Sequence, residues 1–227
     1  MAAEAGVNVL FDLDGTLTDP GEGFVACVSY ALSRLSCRPY AHDEIRRHVG
    51  PPLEDTLAHL LEDRAMIPAA VAFYRERYAR LGYLENAVYP GIEEALRALR
   101  SAEMRLFVAT SKPTVYAERI VAHFGLERFF RGVYGSELDG TRSNKTQLLS
   151  HLLGRERLRP ESTFMVGDRA QDMLAATAHG VHPVGALWGY GSREELAQAG
   201  AAAFCEQARD LPPFLTGLIS RRAGTTG

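Results

Sequence analysis

The chain is short of the features that mark most specialised classes of protein. It has only three cysteines, Cys27, Cys37 and Cys205. They form no CxxC pair and are too few for a disulfide framework, so they read as reduced thiols of a cytosolic protein. It also has no excess of positive charge: 25 Lys and Arg face 28 Asp and Glu, for a net charge of −3. Without a basic field there is nothing to hold a nucleic acid polymer, and an anionic substrate has to be met by a few local cations. Long apolar runs are missing too; none approaches the roughly 18–20 residues that cross a bilayer. The opening stretch MAAEAGVNVLFDLDG lacks the charged start and apolar core of a signal peptide. A cytoplasmic protein with no membrane partner is expected. There is no repeat of 20–50 residues and no low-complexity tract. What is present, 46% hydrophobic and 23% charged residues over 227 positions, suits one large domain or a domain with a smaller insert.

Short apolar runs end in turns and lead into helical patterns. Residues 7–11, 104–110, 162–167 and 182–187 are continuously apolar rather than alternating. That pattern predicts strands buried on both faces, as in a parallel sheet. Helical patterns at 91–101, 113–124, 144–153, 169–179 and 192–199 complete βαβ units. An edge strand at 201–205, a closing helix at 211–219 and a disordered tail at 221–227 are expected. Residues 20–86 break the alternation with helical patterns alone: Phe24, Val28, Ala31 and Leu35; then Leu53, Leu57, Leu60 and Leu61; then Phe73, Arg77 and Leu81, in a helix opened by Pro68. The expectation is an α/β, Rossmann-like doubly wound parallel sheet core (1–18 and 87–220) with an inserted all-helical cap (19–86).

The first strand runs into FDLDGTLTD. At the carboxyl end of a parallel strand Asp12 and Asp14 reach the ligand crevice, and residues two apart in extended chain point the same way. Gly15 lets the chain turn immediately afterwards. Two crowded carboxylates call for a hard cation such as Mg²⁺. An EF-hand fails, because its fifth and sixth loop positions would be Thr16 and Leu17. STFMVGDRAQDM puts Asp168 past another buried strand and Asp172 one turn into the next helix, although Asp168 also suits a helix N-cap. MRLFVATSKP ends a strand at Thr110, Ser111 and Lys112, where a hydroxyl, a backbone N–H and a helix start can hold phosphate oxygens. Lys145 opens a helix, a position that is mildly unfavourable for a cation and so points to an anionic partner.

FDLDGTLTD, VATSKP, SNK and VGDRAQD, in this order, resemble the four motifs of the haloacid dehalogenase superfamily over residues 7–217. HVGPPLEDTL, GSELDGTRSNK and LWGYGSREEL look like its phosphoglycolate phosphatase and 5′-nucleotidase-like branch. The resemblance implies a Mg²⁺-dependent phosphatase acting on a small phosphomonoester through an aspartyl-phosphate. It implies Asp12 as nucleophile and Asp14 as general acid/base with its carbonyl on Mg²⁺. Thr110, the Ser111 amide and Lys145 would hold the phosphoryl group, while Asp168 would ligate Mg²⁺ and Asp172 would support it. In the cap, Arg46, Arg47 and His48 beside Gly50-Pro51-Pro52 are candidates to meet a second anionic group of the substrate, Arg47 first among them. A phosphomutase and a catalytically silent binding protein on the same fold are the alternatives. A dehalogenase has no need for Asp14, and phosphonoacetaldehyde hydrolysis needs a cap lysine that residues 20–86 lack. A monomer or a homodimer is expected.

Overall fold

The structure is a computed structural model that describes residues 6–50 and 53–223. Its strands are β1 (Asn8–Phe11), β2 (Thr18–Asp19), β3 (Ala87–Val88), β4 (Arg105–Pro113), β5 (Gly132–Ser136), β6 (Thr163–Gly167), β7 (His182–Ala186) and β8 (Ala203–Cys205). Its helices are α1 (Gly21–Arg34), α2 (His42–Arg46), α3 (Leu53–Leu60), α4 (Ile67–Arg77), α5 (Ile92–Ser101), α6 (Thr114–His123), α7 (Lys145–Glu156), α8 (Ala170–Ala178), α9 (Arg193–Gln198) and α10 (Leu211–Ala223). They form two compact units, Met1–Leu17 with Val88–Gly227, and Thr18–Ala87.

The larger unit is a six-stranded parallel sheet in the order β5-β4-β1-β6-β7-β8, the doubly wound α/β core that the apolar runs predict. From β1 the chain winds outward to β4 and β5, then returns to the other side of β1 for β6, β7 and β8. The reversal lies at β1, so the carboxyl ends of β1 and its two neighbours form the switch-point crevice. Leu10, Phe107, Ala109 and Met165 pack on Leu148, Leu149 and Leu152 of α7 and on Ala175 and Ala176 of α8. Val9, Phe11, Leu106 and Val108 alternate onto the other face and are also fully buried. Burial on both faces is why the strands read as unbroken apolar runs.

Some local expectations change. β5, GVYGS, is a strand that the sequence reading passes over; two of its five residues are glycine and three are only half-buried at the sheet edge. α6 starts at Thr114 because β4 continues through Pro113. α10 runs on to Ala223, so the expected tail begins as helix, and residues 224–227 lie outside the described residues.

The smaller unit is helical apart from β2 and the first residue of β3, which pair as a short ladder. Phe24, Val28 and Ala31 of α1 are buried, as are Leu57, Leu60 and Leu61. α4 turns a different face inward than its spacing suggests: Ala70 and Val71 are buried with Tyr78, while Leu81 is 51% exposed. A π-helical turn over Tyr78–Gly82 rotates the following residues, and Arg77 pairs with Glu85 at 2.5 Å. Among the described residues no helix is long and apolar enough to cross a membrane.

Candidate active site

Backbone geometry delivers the first carboxylates. Phe11 lies level with Val108 of β4 and Val166 of β6, and the Asp12 N–H still donates to Val166 O at 3.0 Å. The chain then turns: Thr16 N and Leu17 N both donate to Leu13 O, and Gly15 takes φ 86°. A Cβ on Gly15 would overlap the Asp168 carboxylate, so conformation and space both require glycine. Asp168 leaves the end of β6 on the neighbouring strand, and Asp172 follows in the first turn of α8, where its Oδ2 accepts the Arg169 N–H at 3.1 Å. Asp168 is therefore no N-cap; that position belongs to Arg169.

Asp12, Asp168 and Asp172 are buried, and each offers an oxygen within 4.8 Å of the others. Lys145, 5% exposed, brings Nζ to 2.7 Å from Asp12 Oδ1 and 2.8 Å from Asp172 Oδ1. Asn144 starts its helix by accepting from the N–H groups of Thr146 and Gln147. Burial opposes the charge on Lys145, but Asp12 and Asp172 outweigh it and hold its pKa above the ordinary lysine range. Burial, followed by the charges of Asp12 and Asp172, pushes Asp168 up to about 8. Burial raises Asp172 as well, against the pull of Lys145.

Three carboxylates against one ammonium leave an anionic, desolvated pocket. Asp12 Oδ1 and Asp172 Oδ1 are buried and share one cation, the Lys145 ammonium. Three converging buried carboxylates against a single ammonium are an excess of hard oxygens that fits a divalent cation. Asp12, Asp168 and Asp172 are the side chains able to hold one.

The Asp14 carboxylate is not in that trio. Lys112 Nζ lies 2.8 Å from its Oδ1 and 2.6 Å from its Oδ2. Burial raises the Asp14 pKa, and Lys112 partly offsets it. Thr110 is buried, and its Oγ1 accepts the Lys112 N–H at 3.2 Å. Thr110 lies two residues past Val108, the partner of Phe11, at the same sheet edge, and Ser111 follows it. Arg47 lies in the helical unit and is exposed. Arg46 is engaged by Asp19 at 2.6 Å and by Glu22 at 3.1 Å, and the His48 ring lies 5.6 Å from that of His59. Pro51 and Pro52, of the loop beside them, lie outside the described residues.

Four supporting residues escape the sequence reading. Thr16 Oγ1 donates to Asp168 Oδ1 at 2.9 Å, and Tyr190 N donates to Asp168 Oδ2 at 3.0 Å. Trp188 Nε1 donates to Thr16 O at 2.8 Å, which ties the loop after β7 to the loop after β1. A Cβ on Gly189 would overlap Asp168 and Gly15 O. For Trp188, Gly189 and Tyr190 the signal was position: LWGYG begins at the carboxyl end of a core strand.

A parallel sheet with an aspartate beyond its switch-point strand, a lysine on it and two further aspartates beside it defines a class of hydrolase. The chain belongs to the haloacid dehalogenase-like hydrolase family, whose model matches residues 9–186. A 5′-nucleotidase from Pseudomonas aeruginosa is 46% identical over 190 residues, 83% of this chain and 86% of that protein. A tyrosine-protein kinase, PtkA, from Mycobacterium tuberculosis is 42% identical over 184 residues; these are 81% of this chain but 62% of that longer protein. The crystal structure of a predicted phosphatase from Clostridium acetobutylicum superposes with a TM-score of 0.86 at 34% identity, covering 94% of this chain and all of that one.

Proposed function

We propose that the protein is a Mg²⁺-dependent phosphatase that hydrolyses a small phosphomonoester through an aspartyl-phosphate on Asp12. The observation that carries this reading is the setting of Asp12: a buried carboxylate at the switch point, in contact with Lys145 and close to Asp168 and Asp172. Asp12, Asp168 and Asp172 would hold Mg²⁺ together with the Asp14 carbonyl. The cation, when bound, supplies positive charge against the substrate dianion and the attacking carboxylate. Asp12 attacks phosphorus, and the ester oxygen departs with a proton from Asp14. Water then attacks the same phosphorus and gives its proton to Asp14, which releases phosphate and restores the Asp12 carboxylate. Lys145, the Thr110 hydroxyl and the Ser111 amide hold the phosphoryl oxygens in line for both displacements.

The helical unit is assigned the role of a cap that selects the substrate, a phosphoglycolate-like acid or a nucleoside monophosphate. Arg47 is its candidate for a second anionic group, since it is exposed while Arg46 is spent on Asp19 and Glu22. A cytoplasmic setting agrees with three free thiols.

The test is phosphate release from p-nitrophenyl phosphate, then from a panel of phosphorylated metabolites ranked by kcat/KM. Metal-stripped protein in excess chelator is expected to be inactive and to regain activity with Mg²⁺. Full activity in chelator would refute the metal requirement. Isomer formation from a sugar phosphate without phosphate release would favour a phosphomutase.

A further inference from the structure

Of the 25 lysines and arginines in this chain, only two are lysines, Lys112 and Lys145. Both ammonium groups lie against the carboxylates of the site: Lys145 on Asp12 and Asp172, and Lys112 on Asp14. Arginine serves every other cationic position. The two exceptions are the places where a compact point charge is used instead of a planar fork. In the proposed reaction Lys145 holds the phosphoryl group, whereas Lys112 has no part in either displacement.

Lys112 is built in rather than draped on the surface. The β4–β5 register breaks between Ala109 and Pro113, which places Lys112 in a bulge at the catalytic edge. Its N–H is tied to Thr110 Oγ1 at 3.2 Å, and Ser136 Oγ donates to the adjacent Ser111 O at 2.9 Å. Pro113 stiffens the next residue. The Lys112 side chain is 10% exposed and the Asp14 side chain 24%. An exposed lysine gains little from one carboxylate, because solvent screens it and ordering costs entropy. Lys112 is already ordered and largely dry, and its Nζ spans both Asp14 oxygens.

Asp14 lies only two residues from Asp12, so a cation bound at Asp12 would draw the Asp14 carboxylate as well. Coordinated there, Asp14 could not serve the leaving group. Yet the converging trio is Asp12, Asp168 and Asp172, and the Asp14 side chain is on Lys112 instead. We infer that Lys112 is the positioning residue for Asp14: it keeps that carboxylate out of the cation site and aimed at the leaving oxygen. The inference rests on the acid/base role proposed for Asp14.

The experiment compares Lys112→Met and Lys112→Gln with wild type on an alkyl phosphate and on p-nitrophenyl phosphate. kcat and KM are read separately, and thermal unfolding checks the fold. Loss of a correctly placed general acid costs about 10²–10⁴-fold. Lys112→Met is therefore expected to lose about 10²-fold in kcat on the alkyl phosphate and less than about tenfold on p-nitrophenyl phosphate, whose leaving group needs little protonation. KM is expected to stay close to wild type. Lys112→Gln keeps a neutral donor and is expected to fall between the two, and it carries the test alone if the methionine variant does not fold. Equal losses on both substrates, losses confined to KM, or wild-type rates on both would overturn the positioning role. No phosphate release from wild type would instead overturn the hydrolase reading, and this inference with it.

Discussion

Two aspartates two residues apart receive different surroundings, which suit the different roles proposed for them. Asp12 is 8% exposed, touches Lys145 and faces Asp168 and Asp172. Asp14 sits beside Lys112 outside that trio, in a setting whose poor hydration raises its pKa. A nucleophile has to stay ionised and fixed in line, whereas an acid/base has to hold and release a proton. Asp12→Asn is expected to abolish both turnover and phosphoenzyme, because an amide is a poor nucleophile. Asp14→Asn keeps the side-chain volume and the backbone carbonyl, so Asp12 can still attack an activated aryl or acyl phosphate. Water attack then lacks its base, and labelled phosphoenzyme is expected to accumulate in rapid-quench experiments. Labelling of Asp12→Asn would remove Asp12 from its role. Equal loss of activated and unactivated substrates in Asp14→Asn would make that residue structural.

At the scale of elements, the site is held by loops that meet across the sheet. The loop after β7 supplies Tyr190 N–H to Asp168 and ties Trp188 to the carbonyl of Thr16, whose hydroxyl takes the other Asp168 oxygen. Asp168 is thus oriented from both sides before any cation binds. Outer hydrogen bonds of this kind are worth about 10–100-fold in metal affinity. Thr16→Val keeps the shape and removes the donor, so Mn²⁺ titration calorimetry is expected to show binding weakened by about tenfold or more, with a lower unfolding midpoint in chelator because a buried Asp168 oxygen loses its partner. Unchanged affinity would mean that Tyr190 N–H alone orients Asp168. The Asp12 and Asp168 positions were legible because each is set by its own strand: an apolar run ends, and the next polar side chain stands at the edge. Thr16, Trp188 and Lys112 were not, because their partners lie 152, 172 and 98 residues away along the chain. The sheet core was legible because burial on both faces writes continuous apolar runs. β5 was hidden because a half-exposed edge strand with two glycines carries no such run, and the exposure of Leu81 because the π turn after α4 breaks the 3.6-residue period.

For the whole molecule, the buried carboxylates tie folding to pH and to any cation they hold. In the metal-free protein Asp168 has a pKa of about 8, against 3.8 for an unperturbed aspartate. Between those two values the folded state keeps a proton that the unfolded chain has released. Stability therefore falls as pH rises across this window, since the folded state must either keep a proton that the solvent holds at ever lower activity or release it and leave a charged carboxylate buried. Below about pH 4 both states are protonated and the effect vanishes; above about pH 8 the full cost is present. A cation bound to the ionised carboxylates would reverse the balance and stabilise the folded state through mass action. In chelator the unfolding midpoint is expected to drop between pH 5 and pH 9, and the gain from Mg²⁺ is expected to widen over the same range. The comparison with and without Mg²⁺ at each pH cancels histidines and surface pairs that titrate alike in both arms. Asp168→Asn places a neutral amide where the protonated carboxyl sits, so its chelator profile is expected to be flatter and its response to Mg²⁺ small. A Mg²⁺ gain that is the same at pH 5 and pH 9, or one that Asp168→Asn leaves intact, would mean that the cation is not held by the Asp12, Asp168 and Asp172 cluster.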